Sequence, residues 1–325
     1  MSNRISKPAV LAIALLTIAS LVLAACAPAA TPVPPTPVPP TKAPEPTKPP
    51  EPTKAPEPTK PPTAPPPTAT TAPKGLLDTI KARGVMKVST DPNYKPQSFL
   101  NEKGELDGFD IDVAKEVAKR LGVTVKFETP DWDIIVAGKW GGRWDVSIGS
   151  MTITPDRKKV LFFSSPYYYT PAQFAVHKTS TITKIEDFVG KTVCVGSGTT
   201  YEDYLNGKLA LEGETILKQL TGAKAQTFST DAECIQAIQA GRKEFQGVLT
   251  ALPTIEDAVK SGAPLKKIGD PVYYEDLAAA MDQNIPNSES FVDAVTKAID
   301  EMRKDGTLTK LATKWYGVDL STKKQ

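Results

Sequence analysis

The chain has 325 residues, of which 31 are proline and 3 are cysteine; its 39 lysines and arginines nearly balance 37 aspartates and glutamates, giving a formal charge of +2. Charges of both signs are interspersed and no basic stripe occurs, which excludes a nucleic-acid binder held by phosphate contacts. The single histidine, His177, and the lack of HExxH, Cys/His-cluster or GxSxG motifs give no reason to expect a metal, a cofactor or a nucleophilic triad.

Residues 1–26 read as an export signal. Arg4 and Lys7 form a positive start, Ala9 to Leu23 an apolar stretch, and Leu23-Ala24-Ala25-Cys26 ends it in small residues before a cysteine. This end resembles the bacterial lipobox, so Cys26 is expected to carry the lipid and become the mature N-terminus. An ordinary signal peptide, or a short membrane anchor with an incidental cysteine, is the alternative. Residues 27–74 are Pro, Thr, Ala, Lys and Glu, with the unit T-K-[AP]-P-E-P repeating from Thr41 to Pro58. Proline at this density favours extended polyproline II, so a disordered, semi-rigid spacer reaching on the order of 150 Å is expected. A ligand for proline-binding domains is the other reading of such a segment.

The foldable part begins near Gly75. "VMKVST" (85–90) reads as a strand, "FDIDVAKEVAKRLGV" (109–123) as an amphipathic helix capped by Gly122, and "VTVKFET" (123–129) as a strand. "WDIIVAGKW" (132–140) has helical spacing, and "DVSIGSM" (145–151) is a strand ending in small residues. Thr154-Pro155 should open a further helix. Arg157, Lys158 and Lys159 then stand where a helix start disfavours cations.

The order repeats. "KTVCVGSG" (191–198) is a strand running into glycines, Thr199 to Leu211 is helical, and "AKAQTFS" (223–229) is a strand. Thr230-Asp231-Ala232-Glu233 is a capping-box start for a helix through Ala240. "FQGVLTA" (245–251) is a strand, "TIEDAVKSG" (254–262) a helix, and 288–317 two amphipathic helices split near Gly306. The pattern predicts an α/β protein with two mostly parallel sheets side by side. Ligands of such sheets bind beyond the carboxyl ends of the strands. Gly149–Thr152 and Gly196–Thr200 lie there, which predicts a cleft lined from both sides. Apart from Cys26, Cys194 and Cys234 form an even pair in an exported chain, which points to one disulfide, with two buried thiols as the alternative.

These stretches carry a family resemblance. "GFDIDVAKEVAKRL" (108–121) is similar to the signature of the bacterial extracellular solute-binding proteins of family 3, the polar amino acid receptors of ABC importers. "STDPNYKPQSF", "GSMTITPDRKKVLFFSSPYYYTPAQF", "GKTVCVGSGTTYEDYL" and "GTLTKLATKWYG" agree with it. The resemblance implies a two-lobed type II periplasmic-binding fold. Lobe 1 would span about 76–170 plus 277–325 and lobe 2 about 171–276, with crossings near Thr170–Ala172 and Tyr274–Leu277. It implies a monomer on the outer face of the cytoplasmic membrane, handing its solute to an ABC permease.

The resemblance also implies a site. Arg157 would grip the ligand's α-carboxylate with parallel hydrogen bonds; pairing with Asp156 or Asp145 is its structural alternative. Ser150 and Thr152 would add backbone and hydroxyl contacts, and Thr199 and Thr200 would meet the same carboxylate from lobe 2. Tyr94 and Trp132 would flank the side chain, although Trp132 could equally be core, and Asp91 would reach the end of a basic side chain. Some family members bridge cysteines at the places of Cys194 and Cys234. In many relatives an aspartate near residue 251 pairs with the α-ammonium, but this chain has Ala251 there. Glu244 has the wrong spacing. Either Glu275 or Asp276 near the second crossing substitutes, or the ligand lacks a standard α-amino group. An exported dehydratase of the same fold, a sensor module and an anchored structural protein are the rival functions.

Overall fold

The computed structural model describes residues 75–323. The export signal, Cys26 and the proline-rich segment lie outside the described residues. In chain order the first half is α1 (Leu76–Arg83), β1 (Val85–Ser89), β2 (Asn93–Tyr94), β3 (Ser98–Leu100), β4 (Leu106–Asp107), α2 (Phe109–Leu121), β5 (Thr124–Glu128), α3 (Trp132–Val136) and β6 (Val146–Thr152). After β7 (Leu161–His177) come β8 (Thr192–Gly196), α4 (Thr200–Leu205), β9 (Lys224–Phe228), α5 (Asp231–Gln239), β10 (Gly247–Ala251) and α6 (Leu252–Lys260). β11 (Leu265–Asp282), α7 (Glu289–Lys304) and α8 (Thr307–Tyr316) complete the fold.

Helix α2 illustrates how sequence builds these elements. Phe109, Val113, Ala114, Val117 and Ala118 all point inward and are buried, as the 3.6-residue period requires; each large apolar side chain so buried contributes about 1.5–3 kcal/mol. Gly122 closes the helix in the left-handed conformation at φ 75°. Gly108 starts it at φ 127°, and a Cβ there would lie 2.3 Å from the Gln97 carbonyl oxygen, so no other residue fits without moving backbone.

Several predicted helices are shorter than their patterns. α4 stops at Leu205, just before Gly207 at φ 67°, and α3 stops at Val136, before Gly138 at φ 65° and Lys139 at φ 58°. The helix expected after Thr154-Pro155 is a single 3-10 turn, Arg157–Lys159, because β7 begins at Leu161. A single turn has little aligned dipole, so the three cations there meet weak repulsion.

The sheet order is β5-β1-β6-β11-β7-β10-β8-β9. β5, β1 and β6 are parallel, and so are β10, β8 and β9. The two triplets are joined through β11 and β7, which run antiparallel to each other and to their outer neighbours. The expected α/β units are therefore present, but their sheets are continuous through two long strands. Each long strand carries residues of two separate cores. One core draws on Met86, Val88, Phe109, Val146, Leu277 and Phe291, all before residue 169 or after 276. Another draws on Phe174, Phe188, Val195, Tyr204, Leu249 and Tyr273, all between 172 and 273. Cys194 and Cys234 are bridged, with Cα atoms 5.6 Å apart, inside a third apolar group with Ile238, Phe245 and Val248. Among the described residues, no helix is long and apolar enough to cross a membrane.

Candidate functional site

Residues at the carboxyl ends of the parallel strands converge on one small cavity of about 40 Å³. Asp91 follows β1, Trp132 opens α3 after β5, and Ser150 and Thr152 end β6. Arg157 comes from the 3-10 turn, Gly196 ends β8, and Thr199 and Thr200 begin α4. Tyr94 also lines it, so every predicted ligand residue reaches the same space. Tyr201 and Asp231, which were not predicted, line it as well, and so does Glu275, named only as a possible substitute for an acid at residue 251. A larger cavity of about 500 Å³ is lined by Tyr169, Tyr274, Trp315 and Tyr316 and contains none of the predicted residues. Most of its charged groups are paired: Asp257 with Lys95 at 3.4 Å, Glu256 with Lys267 at 2.9 Å, and Lys314 with Asp112 at 2.6 Å, leaving Lys260 among the described residues. The smaller cavity, where charges converge without pairing, is the better candidate.

Arg157 is 9% exposed. Its Nη1 donates to the Thr152 carbonyl at 3.0 Å and its Nη2 to the Gly198 carbonyl at 3.1 Å. The guanidinium lies 5.6 Å from the centre of the Trp132 ring, and Trp132 Nε1 donates to the Gly198 carbonyl at 3.2 Å. Asp156 pairs with Lys159 at 2.5 Å and Asp145 pairs with Arg83, so neither neutralises Arg157. Among the described residues, Arg157 has no carboxylate within 4.0 Å. Burial pulls its pKa down, and the charge of Glu275 pushes it back up. Two carbonyls occupy part of its five-donor fork, and the remaining N–H groups are those a carboxylate can use.

The hydroxyls are committed to the protein. Thr152 Oγ1 donates to Glu275 Oε1 at 2.7 Å, Thr200 Oγ1 donates to the same oxygen at 2.5 Å, and Tyr201 OH donates to Oε2 at 2.8 Å. Thr199 Oγ1 donates to the Gly196 carbonyl at 2.7 Å and accepts from Glu202 N–H at 3.3 Å, as an N-cap does. Each hydroxyl has a single proton to give. Hydroxyl contacts from Ser150 and Thr152, as the resemblance implies, would therefore need these bonds to break, and the same holds for any donation by Thr200.

Ser150 sits at φ 59°, a left-handed conformation that costs a non-glycine residue roughly 1–2 kcal/mol. A buried network holds it there. Its N–H donates to Tyr167 OH at 2.8 Å, Tyr167 OH donates to Asp110 Oδ1 at 2.8 Å, and Ser150 Oγ donates to Asp110 Oδ2 at 2.7 Å. Tyr168 OH donates to Ser150 Oγ. Burial pushes the Asp110 carboxyl up to about 7, against the pull of the bonds from Ser150 and Tyr167. Its unfolded value is about 4. The folded chain therefore holds this proton where the unfolded chain has lost it, and stability falls as pH rises from about 4 to about 7. Asp110→Asn removes that contribution, on the order of a few kcal/mol. The expected result is that melting temperature declines with pH less steeply in the variant than in the wild type, measured by calorimetry between pH 4 and 8; parallel curves would refute the assignment.

Asp231 is 5% exposed. Oδ1 accepts from Gly196 N–H at 2.9 Å and Oδ2 from Thr250 Oγ1 at 2.9 Å. It begins α5 behind the Thr230–Glu233 capping box, which forms as the sequence predicts. A carboxylate at a helix start gains about 0.3–1 kcal/mol from the dipole, less than the several kcal/mol that burying a charge costs. Burial raises its carboxyl to about 7, with Asp91 and Glu275 adding repulsion. Burial also raises Asp91. Of the acids considered as substitutes at Ala251, Glu275 reaches the cavity. Asp276 lies 3.6 Å from Lys323, and Glu244 pairs with Arg242 at the surface. Capping patterns and burial periods do not reveal that Asp231 and Glu275 face inward. Among the described residues, no cluster of His, Cys, Asp and Glu could hold a metal ion.

Comparison with known proteins gives a consistent result. The family described as bacterial extracellular solute-binding proteins, family 3, matches residues 86–318. The L-cystine-binding protein TcyJ of Escherichia coli (strain K12) is 32% identical over 252 residues, covering 77% of this chain and 89% of that protein. Among solved structures, an ancestral arginine-binding protein bound to arginine aligns with a TM-score of 0.63 at 34% identity, covering 72% of this chain and 99% of that one. The ancestral amino acid-binding protein AncCDT-1, a precursor of cyclohexadienyl dehydratase, aligns with a TM-score of 0.64 at 34% identity, covering 74% and 99%.

Proposed function

Since this chain belongs to the bacterial extracellular solute-binding proteins of family 3, we propose that it is the extracytoplasmic receptor of an ABC importer and binds a polar, basic amino acid or a close carboxylate-bearing analogue. The observation that carries this reading is the buried Arg157 guanidinium, bonded to carbonyls but to no carboxylate, at the edge of a cavity. Arg157 takes the ligand's α-carboxylate. Tyr94 and Trp132 flank its side chain, and Asp91 receives the cationic end. Thr199, Thr200, Ser150 and Thr152 shape the carboxylate pocket, contributing more through backbone and position than through their hydroxyl protons.

The lobes are 76–170 plus 277–325 and 171–276, a division supported by two cores that share no residue. Bonds already join them across the cavity, such as Tyr94 OH to Tyr201 OH at 3.1 Å. A space of about 40 Å³ is far below the few hundred usual for small-molecule sites, which favours capture by lobes that part and close again, the ligand's differential affinity setting the closed population. The receptor acts as a monomer, tethered through lipid on Cys26 and the 27–74 spacer, and presents its closed form to a permease. It performs no chemistry.

Titration calorimetry against the amino acids tests this. A basic amino acid is expected to bind one to one and most tightly. Absence of any amino acid binding, together with turnover of a prephenate-like acid, would replace the receptor with a dehydratase.

A further inference from the structure

Three carboxylates, Asp91, Asp231 and Glu275, line the cavity against a single guanidinium, Arg157. Among the described residues, none of the three forms an ion pair within 4.0 Å. Buried charges without partners are expensive and are offset either by holding a proton or by a cation, so a ligand that brings more than one positive charge suits this lining. Glu275 is nearly saturated: three hydroxyls fill most of the roughly four acceptor positions of its carboxylate. Asp91 stands nearest the surface of the three, and one of its oxygens accepts from Asn93 N–H at 2.8 Å. Asp231 differs from both. It is almost fully buried, and each oxygen accepts one bond from a fixed donor, which leaves an acceptor position on each. The surrounding chain makes room for it. A Cβ on Gly196 would lie 2.9 Å from Asp231 Oδ1, so the end of β8 is glycine where the carboxylate comes close.

We infer that Asp231, oriented by Thr250 and Gly196, is the group that receives the ligand's α-ammonium, in place of an acid at residue 251. This rests on the amino acid receptor reading above. It resolves the choice left by Ala251: the ligand keeps its α-amino group, and the counter-charge comes from the start of α5 instead of the end of β10. Thr250, the neighbour of Ala251 on β10, supplies the hydroxyl that aims it.

The experiment uses the full chain and titration calorimetry with L-arginine and L-lysine, each beside the analogue lacking only the α-amino group, 5-guanidinopentanoate and 6-aminohexanoate. For whichever amino acid binds more tightly, Asp231→Asn is expected to weaken binding by about thirtyfold or more, as loss of a buried charge partner does. It should change affinity for the matching analogue by less than about threefold, since that analogue makes no ammonium contact for the variant to lose. Thr250→Val keeps the charge and removes the aiming hydroxyl, so a smaller loss confined to the amino acid is expected, and this variant serves if Asp231→Asn does not fold. Equal losses for amino acid and analogue, or no loss for either, would overturn the inference while leaving the receptor intact. If no amino acid binds the wild type, the receptor reading fails and this inference falls with it.

Discussion

Arg157→Ala is expected to weaken binding of any carboxylate-bearing ligand by about a hundredfold to a thousandfold, since truncating one member of a buried, hydrogen-bonded charge pair costs roughly 2–5 kcal/mol and each 1.4 kcal/mol is a factor of ten. The folded state should tolerate the change well. Arg157 pays for its burial with two carbonyl bonds and a cation–π contact with Trp132, with no carboxylate within 4.0 Å among the described residues. Removing it strands no carboxylate bonded to it, although it takes the cation from beside Asp91, Asp231 and Glu275; relief of the buried charge offsets part of that loss, so the melting temperature should move by only a few degrees, as expected for about 1 kcal/mol in a chain of this size. Arg157→Lys keeps the charge but loses the planar fork, and should fall between wild type and alanine. Calorimetry on all three proteins decides it. Unchanged affinity in the alanine variant would remove Arg157 from the site and with it the principal support for the receptor.

The second large effect concerns the Cys194–Cys234 bridge. It closes a segment of 40 residues, and loop entropy alone assigns such a cross-link about 4 kcal/mol. Both sulfurs are buried beside Ile238, Phe245 and Val248. Replacing the pair by alanine is therefore expected to lower unfolding free energy by about 2–4 kcal/mol, read from urea denaturation midpoints at constant slope. Wild type held under a reductant should shift by a similar amount. A change below about 1 kcal/mol, smaller than disulfides of this span ordinarily contribute, would mean that the packing around the sulfurs carries the stability. Ligand affinity should barely move, because the bridge lies in an apolar group apart from the cavity lining.

How much of this was legible beforehand differs by element. The amphipathic period of 109–121 and the capping box at Thr230 are local signals, and both elements stand where they were expected. The two longest strands were not read at all. β7 contains Pro166 and Pro171 and β11 contains Gly269 and Pro271, and each of these ordinarily argues against a central strand. The ladder tolerates them by shifting register, between Ile268 and Tyr273 and again around Leu277 and Ala278. Candidate site residues that follow strand ends, such as Arg157 and Thr200, were accessible through their spacing and the family resemblance. Asp110 and Asp231 were hidden. Each sits in an ordinary helical pattern, and nothing local marks an aspartate whose carboxylate turns inward to meet Ser150 or Gly196. The hydroxyls show the other side of this: sequence offers Thr152 as a donor, but it cannot register that Glu275, far along the chain, accepts from both Thr152 and Thr200.

One proline of the long strands has a mechanical consequence. Pro171, which faces Tyr274, stands between Tyr168 of one core and Ala172 of the other; lacking an N–H group, it cannot donate to the ladder there. A strand with a missing rung resists bending less, so the cost of opening lies mainly in the bonds across the cavity, such as Tyr94 to Tyr201, which the solute's own contacts must replace.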